Sequence, residues 1–263
     1  MTVGELLAVL DRLAPVRLAE EWDNVGLMVG LRDRPATRVL VALDLREHVL
    51  DEARDADADV VLLHHPPIFP ALSAVSDQGM AGALVLRAAE ERIAVVAAHT
   101  NLDSAVGGLN DKMAEALGMR ERAPLAPDAD DPAAGLGRVG IIDPTPLDEL
   151  AARCVGVFCT RRANLGVAGD PARMVSRLAV CTGSGGSLIG AARESGAEAY
   201  VTGDLKYHDA DAAEGMGLVN VAHGAVEQHA MRMWTPALVG ALAPLGVEVA
   251  FARGDTDPWR DAC

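Results

Sequence analysis

Apolar residues along this chain come in two rhythms, and their alternation predicts the fold. Three runs in the first half are continuous and rich in Val and Leu: Arg38 to Leu45 (RVLVALDL), Ala58 to His65 (ADVVLLHH) and Ile93 to His99 (IAVVAAH). Short unbroken runs of this kind read as strands buried on both faces. Between them, REHVLDEARDA and GMAGALVLRAAEER carry apolar residues at helical spacing with charges on the opposite face. The opening MTVGELLAVLDRLAP reads as a short amphipathic helix. A β-α-β-α-β order implies a mostly parallel sheet with helices on its faces.

Residues 123–138 (APLAPDADDPAAGLGR) break the rhythm with three prolines, an acidic cluster and two glycines, and read as a linker or long loop. GRVGIID then predicts another strand, and TPLDELAARCVGVF a helix with Thr145 as N-cap and Pro146 at its first position. The second half repeats the grammar of the first. RLAVCT (177–182) matches the first run, AEAYVTGD (197–204) the second and LVNVAH (218–223) the third. The expected organisation is therefore a first α/β half at 1–122, the linker, and a second, similar α/β half at 139–263.

Composition narrows the chemistry. The chain has 263 residues, half of them hydrophobic but only 3% aromatic, so its core is aliphatic. Lys and Arg number 23 against 38 Asp and Glu, giving 23 − 38 = −15. That deficit argues against binding nucleic acid or an anionic membrane, both of which need excess basic side chains. It leaves room for a small anionic molecule held by a local cation. The start lacks a signal-peptide pattern, and no run reaches the length of a membrane span. Four irregularly spaced cysteines (Cys154, Cys159, Cys181 and Cys263) fit neither a disulfide framework nor a thiolate zinc site. A cytoplasmic location is expected.

Candidate chemistry gathers where predicted strands end, the edge at which open parallel α/β sheets bind ligands. His64-His65 closes one strand before Pro66-Pro67, which prevents the ladder from continuing. His99 and Asp103 stand four apart after another strand, and His223 and Glu227 repeat this in the second half. On a helix, residues four apart share a face. Imidazole with carboxylate suits Zn²⁺, Fe²⁺ or Mn²⁺, and six candidate ligands exceed what one tetrahedral ion uses, so a two-metal site is expected. His48 and His229, within helical patterns, read as solvated surface residues.

The turn Thr182-Gly183-Ser184-Gly185-Gly186 is either a tight strand-to-helix connection or a backbone cradle for an anion. Lys206, one of two lysines, either pairs with a neighbouring acid or helps receive that anion. Between Glu198 and Glu227, six acids face one base, so −5 of the net charge falls in this stretch.

Seven motifs, in this order, resemble the NIF3-like family, also called the GTP cyclohydrolase I type 2 homologues or YbgI family. They are Glu21-Trp22-Asp23-Asn24-Val25-Gly26-Leu27, Leu63-His64-His65-Pro66-Pro67-Ile68-Phe69, His99-Thr100-Asn101-Leu102-Asp103, Cys181-Thr182-Gly183-Ser184-Gly185-Gly186, Thr202-Gly203-Asp204-Leu205-Lys206-Tyr207-His208, His223-Gly224-Ala225-Val226-Glu227 and Thr256-Asp257-Pro258-Trp259. The resemblance implies two similar α/β halves and a ring-shaped homohexamer. It also implies a dinuclear metal centre with His64, His65, Asp103, His223 and Glu227 as ligands and His99 close by. A metal-dependent hydrolase would then use His99 or His208 as proton shuttle, with Ser184, Gly185, Gly186 and Lys206 at the substrate. The alternative is a non-catalytic metal-binding scaffold or a regulatory interaction protein. The GTP cyclohydrolase role is carried by the family label alone.

Overall fold

The computed structural model describes residues 1–159 and 165–258. Trp259 of the closing motif and Cys263 lie outside the described residues. The first elements are α1 (Val3–Leu13), β1 (Gly26–Val29), β2 (Arg38–Ala42), α2 (Glu47–Asp55), β3 (Val60–Leu63), α3 (Met80–Glu90), β4 (Ala94–Ala97) and α4 (Thr100–Ser104). Next come α5 (Leu109–Ala116), β5 (Arg120–Ala123), β6 (Ala126–Pro127), β7 (Gly135–Leu136), β8 (Arg138–Pro146) and α6 (Leu147–Phe158). The chain continues with β9 (Gly166–Ala168), β10 (Met174–Ser184), α7 (Ile189–Glu194), β11 (Ala199–Gly203), α8 (Asp209–Ala212), β12 (Gly217–Val221), α9 (His223–Leu242) and β13 (Glu248–Phe251).

Two compact units result, residues 1–102 with the chain from Met231 onward, and Asp103–Ala230. The borders do not fall in 123–138. That stretch is built into the second unit, where β6 pairs antiparallel with β7. Gly135 makes this pairing feasible: its φ is +136°, and a Cβ there would lie 2.1 Å from the Ala126 carbonyl oxygen. The chain end belongs to the first unit because β13 pairs with β2.

The first unit holds a five-stranded sheet in the order β1-β4-β3-β2-β13. β13, β2, β3 and β4 run parallel, and β1 closes one edge antiparallel to β4. β3 and β4 are buried at every position, as their unbroken apolar runs require. Val49 and Leu50 of α2 and Leu84 and Val85 of α3 pack on Leu40, Val61 and Val95. α1 opens with a capping box, in which Thr2 accepts from the Glu5 amide and Glu5 accepts from the Thr2 amide.

The second unit holds a six-stranded sheet, β5-β8-β10-β11-β12-β9. Its centre, β10-β11-β12, is parallel; β8, β5 and β9 are antiparallel additions. Both sheets are thus mixed, with a parallel core. One apolar layer joins Met113 and Leu117 to Leu147, Leu150 and Phe158. Another gathers Ile189, Ala192, Tyr200 and Leu218. The expected Thr145 cap is displaced by one residue: Pro146 occupies the N-cap of α6, and Thr145 belongs to β8. The helix start is satisfied instead by backbone, the Leu147 and Asp148 amides donating to Arg173 and Pro171 carbonyls. Among the described residues no helix is long and apolar enough to cross a membrane.

Candidate metal centre

In the first unit β2, β3 and β4 end at one edge of the sheet, and the residues just beyond them carry the histidines. The ladder runs into the tandem pair, since the His64 and His65 amides still donate to the Ala42 and Leu43 carbonyls (3.3 and 3.0 Å). Pro66-Pro67 then ends it. His99 follows β4 after one residue. One ring nitrogen from each of His64, His65 and His99 lies within 4.8 Å of the other two. His64 is fully buried, and the other two are partly so.

Each ring is oriented by a separate acceptor. His64 Nδ1 bonds the Ala98 carbonyl oxygen at 2.9 Å, His65 Nδ1 bonds Asp44 Oδ1 at 2.9 Å, and His99 Nδ1 bonds Asp23 Oδ1 at 2.8 Å. Each Nδ1 therefore donates, and Nε2 carries the lone pair. That arrangement fixes both tautomer and direction, as in metal-binding histidines.

The orienting carboxylates are themselves held. Asp23 Oδ2 accepts from the Thr100 amide (3.1 Å) and hydroxyl. Burial opposes its charge, but the hydrogen bonds from His99 and Thr100 hold the carboxyl down at about 2. Asp44 Oδ2 accepts from the Thr256 hydroxyl at 2.8 Å. Burial again opposes ionisation of Asp44, and His65 and Thr256 override it and lower its pKa.

The second unit builds a smaller, more acidic group. β12 ends one residue before His223, which opens α9, and the helix brings Glu227 onto the same face: His223 Nε2 and Glu227 Oε2 are 2.9 Å apart. His223 Nδ1 bonds Asp204 Oδ2 at 2.7 Å, just beyond the end of β11. Burial alone would depress the His223 pKa; the Glu227 and Asp204 carboxylates reverse this and lift it to about 9. Glu227 is 2% exposed, so this pocket attracts a cation. Asp103 is buried too, its Oδ1 accepting from the Thr182 hydroxyl at 2.8 Å. The Thr182 amide donates to Asn110 Oδ1, and Asn110 Nδ2 to the Asp103 carbonyl.

The glycine-rich turn has a packing explanation. Gly183 has φ +65°, and a Cβ on it would stand 2.5 Å from Glu227 Oε1. A Cβ on Gly185 would meet Tyr200 Oη at 2.2 Å and Thr202 Oγ1 at 2.3 Å. Ser184 is exposed at the end of β10, and Gly186 starts a short 3-10 turn before α7. Lys206 is exposed, its amide donating to Asp209 Oδ2 at 2.6 Å. His208 is exposed beside Tyr207, with Asp211 at 3.6 Å, and belongs to neither histidine group. His48 is a surface residue as expected, whereas His229 is half-buried against the Phe158 ring. Cys154 and Cys181 are buried, their thiols pushed up to about 12 chiefly by burial.

Asp23, Asp44, Asp204, Thr182 and Thr256 had no role assigned from sequence. The available signal was position: Asp44 and Asp204 each follow a strand at the edge where the ligands stand. With three lone pairs directed by fixed donors, and oxygen donors in the second unit, the donor chemistry fits a borderline divalent ion.

Fold and site define an α/β protein with two mixed sheets and a histidine-rich candidate metal centre. The chain belongs to the Duf34/NIF3 (NGG1p interacting factor 3) family, whose model matches residues 1–258. It is 35% identical over 265 residues to the GTP cyclohydrolase 1 type 2 homolog of Streptomyces coelicolor, covering 98% of this chain and 93% of that one. The protein of the same name from Lactococcus lactis subsp. lactis is 34% identical over 263 residues, covering 99% and 100%. Among solved structures, the Staphylococcus aureus hypothetical protein SA1388 superposes with a TM-score of 0.93 at 25% identity, covering 100% and 99%.

Proposed function

We propose that this protein is a cytoplasmic, metal-dependent hydrolase with a dinuclear divalent centre, and that it assembles as a homohexamer. His64, His65 and His99 supply imidazole ligands, and His223, Glu227 and Asp103 add a further imidazole and two carboxylates. The carrying observation is that His64, His65 and His99 come together with every Nδ1 already engaged. Bound divalent ions supply Lewis acidity, polarising a substrate oxygen and activating water near neutral pH. Asp44 and Asp23 fix the ring orientations of His65 and His99 through Nδ1, and Asp204 fixes that of His223. Thr182 holds the Asp103 carboxylate against rotation. Assigning His99 to the ligands removes it from the proton-shuttle role.

The relatives' name makes GTP the first substrate to try, within a panel of phosphoesters and cyclic amides. The family description, an interacting factor, favours a second reading as a metal-binding scaffold. The decisive test is elemental analysis of protein reconstituted with Zn²⁺, Mn²⁺ or Fe²⁺, followed by the substrate panel. The parent is expected to hold about two ions per chain, and His65→Ala to lose metal and turnover together. Metal-dependent turnover surviving in His65→Ala overturns the assignment; stable metal without turnover on the whole panel selects the scaffold. Light scattering on the same preparation checks the hexamer.

A further inference from the structure

The chain has eight Phe, Trp and Tyr residues in all, and two of them stand exposed beside the histidine cluster of the first unit. Trp22 is 62% exposed and Phe69 49% exposed, unusual for rings that a globular chain would bury. Their centroids are 5.9 Å apart, and they lie 6.3 and 6.1 Å from the His99 ring. The three planes meet nearly at right angles, at 72°, 76° and 87°, making a corner of aromatic faces.

Polar tethers hold this corner in place. Trp22 precedes Asp23, which bonds His99 and Thr100, and Asn24 Nδ2 donates to the Ile68 carbonyl at 2.6 Å, fastening the loop that carries Phe69. The Trp22 loop is thereby fixed both to a candidate ligand and to the second aromatic. Such a corner rewards one ligand shape. A planar ring gains a stacked contact on one face and an edge-to-face contact on another, whereas a saturated ring gains area only.

The geometry points to Trp22 and Phe69 as a clamp for a planar aromatic or heteroaromatic ring whose donor atom reaches the metal held by the histidines. This rests on the metal-centre reading and adds the substrate class to it: a ring-bearing molecule and not a flexible aliphatic one. Trp22 and Phe69 are specificity residues here, and the histidines supply the anchor.

The test uses full-length protein reconstituted with zinc and two probes with the same metal-binding end, benzohydroxamate and cyclohexanecarbohydroxamate, titrated by calorimetry. Benzohydroxamate is expected to bind about tenfold more tightly. The preference is expected to vanish in Trp22→Ala and largely to survive in Trp22→Phe, with zinc content equal in all three proteins. Equal affinity for both probes, or a preference intact in Trp22→Ala, overturns the clamp while leaving the metal centre standing. Failure of the parent to hold zinc overturns the metal centre and the clamp with it. A changed oligomeric state in Trp22→Ala with the preference retained makes the pair a subunit interface and also overturns the proposal.

Discussion

The two units repeat one chain order: helix, antiparallel edge strand, strand, helix, strand, helix, strand, helix, as α1 to α4 with β1 to β4, and as α6 to α9 with β9 to β12. In each, the last parallel strand leads through one residue to a histidine, His99 or His223. In each, a carboxylate takes that histidine's Nδ1. The donor sets nevertheless differ. The first unit gathers three imidazoles, two of them backed by carboxylates, Asp44 and Asp23, and His64 by the Ala98 carbonyl. The second sets one imidazole, His223, against the buried Glu227 carboxylate, and holds Asp103 as a further buried carboxylate on Thr182. A shared topology therefore fixes where the candidate donors stand, while the residue at each strand end sets the charge they offer. A third of the chain's −15 falls between Glu198 and Glu227, in the second unit.

Foundations differ as well. Large, fully buried side chains of the first unit, Leu6, Leu40, Leu50, Leu62, Leu63, Leu102 and Trp234, are apolar. The second unit buries Arg138, 1% exposed, with Nε and Nη2 on the two oxygens of Asp111 at 2.9 Å. Arg138 also donates to the Ala105, Gly135 and Gly137 carbonyls, stitching β8 to the segment after Asp103. The largest effect is expected here. Arg138→Met leaves the buried Asp111 carboxylate only the Gly107 amide and the more distant Arg122 guanidinium, and should cost about 3–5 kcal/mol in denaturant unfolding. A loss below about 1 kcal/mol would mean that both units rest on apolar packing alone.

Next in size is the contrast between supports. The Asp23 side chain is 0% exposed, and that of Asp204 is 56% exposed. Removing a well-held outer partner typically weakens metal binding about 10–100-fold. Asp23→Ala should reach that range and Asp204→Ala fall short of it, measured by competition with a chromophoric chelator. Equal losses would erase the distinction between the units.

The smallest effect is a pH dependence. Burial raises the Asp111 pKa, but the Arg138 hydrogen bonds and charge lower it on balance. A carboxyl lowered by folding adds stability above its unfolded value of about 4, and that stability is lost as the pH falls through the folded value. The parent should therefore lose stability on acidification below about pH 4, and Asp111→Asn should lack that component. Superimposable acid limbs for the two proteins would refute the pair's contribution.

Much of the site was legible in one dimension. His64-His65 before a double proline, and the histidine–acid pairs four apart after apolar runs, are local signals that strand and helix periodicity interpret directly. Asp44 was hidden within an apolar run, and Thr256 reaches it from 212 residues away, a separation that leaves no local pattern. The Trp22–Phe69 pair left no local trace either: composition counts rings without locating them, and the two are 47 residues apart in sequence (69 − 22).

The sequence by itself determined the alternation of strands and helices, the aliphatic core, and the strand ends at which histidines and acids stand. These follow from hydrophobic periodicity and turn chemistry, which act over a few residues. Only the tertiary structure decided which carboxylates support which imidazoles, that β13 joins the first sheet, and that 123–138 is built into the second unit. Those outcomes depend on strand pairing and buried hydrogen bonds between distant segments, whose partners are chosen only once the chain has folded.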